Sequence, residues 1–219
     1  LCCSMAAAAV IFAIVGVSYR YTRWNTPVGA VLGKGNNAVA VFMYRGFTAV
    51  ADLSGDSRNA EYAAKYLTVN GAAAADMMML SRNVQSQYSA YLSELEFFPA
   101  QLWFVSGDVD IYGADAENVA LNKKAELEVN DWKISYTYGA LRLDSAEAGI
   151  SFLPAAEQQA DSGNLSVTVY YGELPKNGGI DDAANIIYLN AADTEISMNG
   201  VNCFEITFDE GKRFKLRRL

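Results

Sequence analysis

Residues 38–53, with the sequence AVAVFMYRGFTAVADL, decide the fold. The stretch holds two short apolar runs, Ala38–Met43 and Phe47–Leu53, separated by Tyr44-Arg45-Gly46. A glycine between two strand-like runs is typical of a hairpin turn. We therefore expect two paired strands near the start of the globular part of the chain.

Downstream of this hairpin, helical and strand patterns alternate. After the polar turn 54–57, residues Asn59–Val69 carry apolar side chains at helical spacing and end at Asn70-Gly71, a stop signal. The patterns then predict a strand at Asp76–Leu80, a second helix at Ser86–Leu95 and a strand at Gln101–Val105. This alternation favours a sheet covered by helices.

Beyond Gly107 the sequence consists of strand-like runs joined by polar turns. Asn199-Gly200 and Glu210-Gly211 are hairpin-turn signals. The predicted strands are Glu126–Val129, Lys133–Tyr138, Leu141–Leu143, Gly149–Leu153, Leu165–Tyr171, Ile186–Leu189, Glu195–Met198, Cys203–Phe208 and Arg213–Leu219. Residues 25–219 are therefore predicted to form one β-rich α/β domain.

The N-terminal segment has a different composition. Residues 1–19 contain no charged side chain and are rich in Ala, Val and Ile, which is close to the roughly 20 apolar residues of a membrane-spanning helix. Arg20, Arg23 and Trp24 follow, as is typical of a membrane interface. We predict a transmembrane helix with interfacial residues over 1–24, and a chain that is a fragment of a longer protein.

The ionisable residues exclude several classes of protein. The chain has no histidine, and its three cysteines include no CxxC pair, so a zinc ribbon is excluded. Asp and Glu outnumber Lys and Arg by 25 to 17, a net charge of −8, which disfavours a nucleic-acid-binding surface. The basic residues of 212–218 alternate with Phe214 and Leu216, which indicates a terminal strand with one solvated face.

Other patterns indicate chemistry only weakly. Gly33-Lys34-Gly35 lacks the rest of a phosphate-binding fingerprint, and a turn next to a strand explains it better. Asp108 and Asp110, with Asp115 and Glu117 nearby, lack the spacing of a calcium loop. The sequence contains no G-x-S-x-G motif, which would place a nucleophilic serine, and no histidine that would activate one. Aromatic residues that alternate along predicted strands are interpreted as core rather than as base-stacking platforms.

The order of several short motifs matches a known family. Val31-Leu32-Gly33-Lys34-Gly35-Asn36, the turn after Asp52, the Leu80-Ser81 pair and Asn164-Leu165-Ser166-Val167 occur in the family's order and spacing. With the apolar helix in front, the chain resembles the C-terminal metallo-β-lactamase-like domain of ComEC-type competence proteins, which carry DNA into bacteria. The resemblance implies an αββα sandwich of two mixed sheets flanked by helices, preceded by one transmembrane helix.

The chain departs from the family at the metal loop. Where the resemblance implies the ligands of a His-x-Asp-x-Asp-His motif, the sequence has Arg82, Val84, Ser86 and Gln87, and no histidine elsewhere replaces them. Arginine is a permanent cation, valine has no donor atom, and serine and glutamine are weak neutral ligands. Asp52 matches an aspartate that helps organise the site in relatives. We therefore expect no metal, no cofactor and no catalytic residue, with Asp52 as a residual site residue.

These observations lead to one function hypothesis and two alternatives. The first is a non-catalytic module of a multi-pass bacterial membrane protein for DNA uptake. Its partners would be other membrane segments of the full-length protein, single-stranded DNA, and the lipid bilayer through residues 1–19. One alternative is a nuclease or phosphodiesterase with an oxygen-only site at Asp52, Asp108 and Asp110. The other is a membrane-anchored, β-rich binding domain.

Overall fold

Two mixed β-sheets form the body of the protein in a computed structural model. The structure describes residues 2–34, 38–52, 56, 58–72, 74–80, 93, 100–105, 117–120, 124–129, 132–137, 140–145, 148–154, 165–171, 180–181, 186–188, 197–198, 201–208 and 214–219. The predicted helix at Ser86–Leu95 falls almost wholly outside these residues. The mixed α/β architecture and the packed sheets confirm the coarse fold prediction.

The first sheet contains nine of the described strands. In chain order they are β1 (Val28–Lys34), β2 (Val39–Tyr44), β3 (Phe47–Asp52), β4 (Ala75–Leu80), β5 (Ala100–Val105), β6 (Glu117–Ala120), β14 (Ser197–Met198), β15 (Val201–Phe208) and β16 (Phe214–Arg218). Their spatial order is β14-β15-β1-β2-β3-β4-β5-β6, and β16 also pairs with β15. The strands from β3 to β6 run parallel, whereas the other pairs in this sheet are antiparallel.

The second sheet contains the remaining seven described strands. These are β7 (Lys124–Val129), β8 (Trp132–Thr137), β9 (Ala140–Asp144), β10 (Ala148–Pro154), β11 (Leu165–Tyr171), β12 (Ile180–Asp181) and β13 (Ile186–Tyr188). Their spatial order is β12-β13-β11-β10-β9-β8-β7. The pairs of β11 with β10 and with β13 are parallel, so this sheet is also mixed.

The predicted hairpin at 38–53 is confirmed as β2 and β3. The two strands pair antiparallel from Val39 with Asp52 to Tyr44 with Phe47. Arg45 and Gly46 both have positive φ, at 46° and 83°, as a two-residue turn with the twist of a hairpin requires. The glycine identified in the sequence therefore occupies a position where a side chain would be strained.

The main core lies between the two sheets. Alternate residues of the first sheet, such as Phe42, Met79 and Phe204, pack against residues of the second, such as Ile134 and Phe152. The predicted core role of Trp132 and Tyr136 is confirmed, since both are buried in this cluster. The opposite set of first-sheet residues forms a second core beneath α2 (Asn59–Val69), which contributes Ala60, Ala63, Tyr66 and Leu67. The first sheet is thus covered on both faces.

Helix α1 (Cys2–Asn25) extends six residues beyond the predicted apolar segment. Its apolar side chains are exposed, with Phe12 78% and Val17 68% accessible. The prediction of a helix is confirmed, but the prediction of a membrane span is not. In the part of the chain that the structure describes, no helix combines the length and the apolar character needed to cross a bilayer.

Candidate functional site

Asp52 ends β3 and lies beside Leu80, the last residue of β4. In the parallel ladder the Cα of Asp52 pairs with that of Leu80, and Leu80 pairs with Val105 on β5. The carboxyl ends of three adjacent strands therefore meet at one sheet edge, which is where α/β sheets place their ligand sites. Arg82, Val84, Ser86, Gln87, Asp108 and Asp110, which follow these strand ends, lie outside the described residues.

The side chain of Asp52 is fully buried rather than open to a cleft. Its exposed fraction is 0%, and Asn59 Nδ2 at the start of α2 donates a hydrogen bond of 3.1 Å to its Oδ1. Asn59 is itself 1% exposed. A buried carboxylate satisfied by an amide at a helix start ties the strand end to the helix. Within the described residues no group of three His, Cys, Asp or Glu side chains could hold a metal ion.

A second polar cluster, which the sequence analysis missed, lies on the outer face of the first sheet. Glu205 on β15 is 1% exposed, and Arg23 of α1 donates to both its carboxylate oxygens. The hydroxyl of Tyr66 on α2 donates a hydrogen bond of 2.6 Å to Glu205 Oε1. Arg23 Nη2 donates a hydrogen bond of 3.2 Å to the Tyr66 hydroxyl oxygen. Arg217 Nη1 lies 4.0 Å from Glu205 Oε2. We call Arg23, Tyr66 and Glu205 the buried triad.

The buried triad joins three elements that are far apart in the sequence. Arg23 and Glu205 are separated by 182 residues, and Tyr66 and Glu205 by 139. In the sequence Glu205 lies between Phe204 and Ile206, so period-2 alternation predicts that it faces away from the main core. That direction is correct, but α2 and α1 cover this face. Arg23, which the sequence predicts to be interfacial, is an ion-pair partner of Glu205 in the structure.

A groove of about 1160 Å³ surrounds the buried triad. Its walls are the last turns of α1, the β2–β3 turn, the end of α2 and the end of β16. Of the described residues, two acidic ones line it, Asp76 and Glu205, against six basic ones, which are Arg20, Arg23, Arg45, Lys65, Arg217 and Arg218. The groove thus has a positive charge in a chain whose net charge is −8.

Both acidic residues of the groove are already bonded within the protein. Asp76 Oδ2 accepts from the backbone N–H of Thr48 at 2.7 Å and from its hydroxyl at 3.2 Å, while Glu205 belongs to the buried triad. Arg20 and Arg218, in contrast, form no ion pair with any acidic side chain in the described ranges. The groove can therefore attract an anion.

The Tyr66 phenol and the Cys203 thiol, which line the groove, have raised pKa values. Burial, the hydrogen bond to Glu205 and the charge of Glu205 raise the pKa of the Tyr66 phenol. Burial first, and the nearby Glu205 carboxylate second, raise the pKa of the Cys203 thiol. Because a thiolate is the reactive form of cysteine, Cys203 is a poor nucleophile.

The raised pKa of Tyr66 predicts a pH dependence of stability. An unfolded tyrosine loses its proton near pH 10 whereas folded Tyr66 keeps it, so stability is fully present below about pH 10 and falls as pH rises above it. The slope from this one group reaches about 1.4 kcal/mol per pH unit. In urea unfolding, Tyr66→Phe should show a shallower alkaline decline than the natural chain. Tyr21→Phe, at an exposed tyrosine, should leave the slope unchanged.

Comparison with known proteins gives no family. Neither a protein-family model nor a curated protein matches the chain. Among solved structures, one described as the peroxy diiron species of the chemotaxis sensor ODP is similar at 14% identity. The match covers 59% of this chain and 60% of that one, with a TM-score of 0.40. A likeness this low carries no argument about site or function.

Proposed function

We propose that residues 25–219 form a non-catalytic module of a multi-pass bacterial membrane protein for DNA uptake, with a metallo-β-lactamase-like αββα fold whose metal site is degenerate. The observation that carries the proposal is the fully buried Asp52 carboxylate bonded to Asn59. An aspartate that served a hydrolytic metal would face a water-accessible cavity. Here it fixes the start of α2 instead.

The register of the strands supports the same interpretation. Asp52 and Leu80 are Cα partners, so β4 ends beside Asp52, immediately before the sequence of the predicted metal loop. The resemblance to competence proteins implies a metal at this edge, bound by residues of that loop. The loop supplies arginine, valine, serine and glutamine at the ligand positions, and these residues do not hold Zn²⁺.

The two attachments of α1 to the domain support a structural role. Arg23 of α1 forms an ion pair with Glu205. The backbone N–H of Arg45 donates a hydrogen bond of 2.8 Å to the backbone carbonyl oxygen of Trp24 at the end of α1. Since the helix is bonded to the domain on two sides, a movement of either would be transmitted to the other. Such a junction suits a module that works with other membrane segments of its own protein, in a bacterial cell membrane.

An oxygen-only nuclease is the second candidate, because the ends of β3, β4 and β5 lie at one edge. The pairings of Asp52 with Leu80 and of Leu80 with Val105 show that β3, β4 and β5 end at the same sheet edge, and Asp108 and Asp110 follow Val105 in the sequence. Carboxylates gathered there could hold Mg²⁺ or Mn²⁺. The buried, bonded state of Asp52 favours the non-catalytic module over this candidate.

Metal analysis and a cleavage assay test the proposal. We expect the purified chain, incubated with Zn²⁺, Mn²⁺ or Mg²⁺ and desalted, to retain no stoichiometric metal and to cleave neither single-stranded nor duplex DNA. Asp52→Asn, which keeps an oxygen acceptor for Asn59, should behave identically. Stoichiometric metal with DNA cleavage that Asp52→Asn abolishes would establish the oxygen-only nuclease.

A genetic experiment tests the role in DNA uptake separately. In the source bacterium, deletion of residues 25–219 from the full-length protein should lower the transformation frequency severely, while Asp52→Asn should leave it unchanged. Membrane levels of each variant protein are measured by immunoblot as the control. Unchanged transformation after the deletion would contradict the DNA-uptake role.

A further inference from the structure

The groove beside α1 is lined by basic side chains to which the proposed function assigns no role. Among the residues that the structure describes, six basic side chains and two acidic ones line it. Glu205 pairs with Arg23 and lies 4.0 Å from Arg217, so the two carboxylates offset part of the positive charge, but six basic side chains against two acidic ones leave a surplus of four in the described lining. Arg20, Arg217 and Arg218 are all exposed and are available to an anion from outside.

One wall of the groove is the end of an uncovered apolar helix. Gly16, Tyr19 and Arg20 of α1 line the groove, and Arg217 lies close to the Tyr19 hydroxyl. The preceding turns of the helix expose large apolar side chains: Val10, Ile11, Phe12, Ile14, Val15 and Val17 are each at least 57% accessible. An exposed apolar surface of this length is uncommon unless it meets a partner.

The apolar residues of α1 and the arginines at its end follow one another in the same order as the acyl chains and the phosphate of a phospholipid. Apolar side chains precede Tyr19, and three arginines with aromatic Tyr19 and Trp24 gather at the helix end. A phospholipid has the same order, with acyl chains followed by a phosphate at the level where aromatic rings and cations concentrate. A nucleic acid would use the arginines but would leave the apolar surface uncovered.

We propose that Arg20, Arg217 and Arg218 bind the headgroup phosphate of an anionic phospholipid in a bilayer that the apolar residues of α1 contact. This inference rests on the membrane location in the proposed function and adds a lipid class to it. Arginine suits the role because its planar fork of N–H donors matches phosphate oxygens. The buried triad attaches the end of α1 to β15, and Arg20 on this helix lines the same groove as Arg217 and Arg218.

Vesicle flotation with the full 219-residue chain tests the inference. The probes are vesicles of phosphatidylcholine alone and of equal parts phosphatidylcholine and phosphatidylglycerol. The natural chain should partition more strongly onto the anionic vesicles, and added salt should weaken that preference. Arg20→Gln/Arg218→Gln should reduce partitioning onto anionic vesicles roughly thirtyfold, at about 1 kcal/mol per arginine, and leave binding to neutral vesicles unchanged.

A charge-matched variant serves as the control. Arg58→Gln/Lys133→Gln removes two exposed cations that do not line the groove and should keep the full preference for anionic vesicles. Circular dichroism of both double variants should match that of the natural chain, because all four side chains lie at the surface.

Other results of the flotation experiment would contradict either the lipid site alone or the lipid site together with the membrane location. Equal binding to neutral and anionic vesicles, or equal losses in both double variants, would overturn the lipid site and leave the membrane location standing. No binding to either vesicle would overturn the lipid site and the membrane location together. Single-stranded DNA that binds the natural chain, loses affinity in Arg20→Gln/Arg218→Gln and displaces no vesicles would assign the groove to nucleic acid. The metal and cleavage assays are independent of these results.

Discussion

Replacement of Arg23 by methionine is expected to lower the free energy of unfolding by about 3–5 kcal/mol, because it leaves the Glu205 carboxylate buried without its cation. Glu205 is 1% exposed, and the Tyr66 hydroxyl alone cannot compensate a buried negative charge. Arg217, at 4.0 Å and exposed to solvent, compensates only a small part. Urea unfolding at neutral pH measures the change.

Two further variants identify the cause of this loss. Arg23→Met/Glu205→Gln removes the buried charge while the new amide oxygen still accepts from Tyr66, so it should recover much of the stability. Lys65→Met breaks the exposed i,i+4 pair with Glu61 and should change stability by no more than about 0.5 kcal/mol. If Arg23→Met proved as mild as Lys65→Met, the buried triad would not anchor α1.

The second large effect is expected at Gly46, in the turn between β2 and β3. A Cβ at this position would lie 2.2 Å from Cζ2 and 2.3 Å from Cη2 of Trp24, and Gly46 has a φ of +83°. Gly46→Ala therefore combines backbone strain of about 1–2 kcal/mol with displacement of the Trp24 ring from the turn. We expect a total loss of about 2–4 kcal/mol, and release of the end of α1.

The chain offers a matched control for the backbone part of this effect. Gly71 has a φ of +82° and nothing within 4 Å of an added Cβ, so Gly71→Ala measures the strain without the steric contact. The difference in stability between the two alanine variants then reports the Trp24 contact. Trp24→Ala/Gly46→Ala should be less destabilised than the sum of its single variants. Additive effects would mean that Trp24 does not pack on the turn.

Cleavage by trypsin reports the position of α1 in the same variants. Arg20 and Arg23 are trypsin sites at the helix end, and Arg23 is held in the buried triad. Gly46→Ala and Arg23→Met/Glu205→Gln should both speed cleavage after Arg20 relative to Gly71→Ala, since each loosens one attachment of the helix. Cleavage at the rate of the natural chain would show that the other attachment is sufficient.

Local elements of the fold could be predicted because they depend on neighbouring residues. The helix at Asn59–Val69 has the predicted bounds, since apolar spacing and the Asn70-Gly71 stop are properties of one short segment. The terminal strand β16 is also confirmed, with Leu216 packed inward and Lys215 and Arg217 exposed. The resemblance to competence proteins and the function it implies stay proposals, because they depend on short motifs that no comparison tests.

The sequence by itself determined the hairpin, the period of each strand, the apolar character of α1 and the absence of histidine. Only the tertiary structure decided that Glu205 and Asp52 are buried, that Arg23 is an ion-pair partner, and that Arg20 and Arg218 line the same groove. Alternation along a strand shows which way a side chain points, but not whether a helix covers that face. That depends on contacts between residues up to 182 positions apart, which local patterns do not encode.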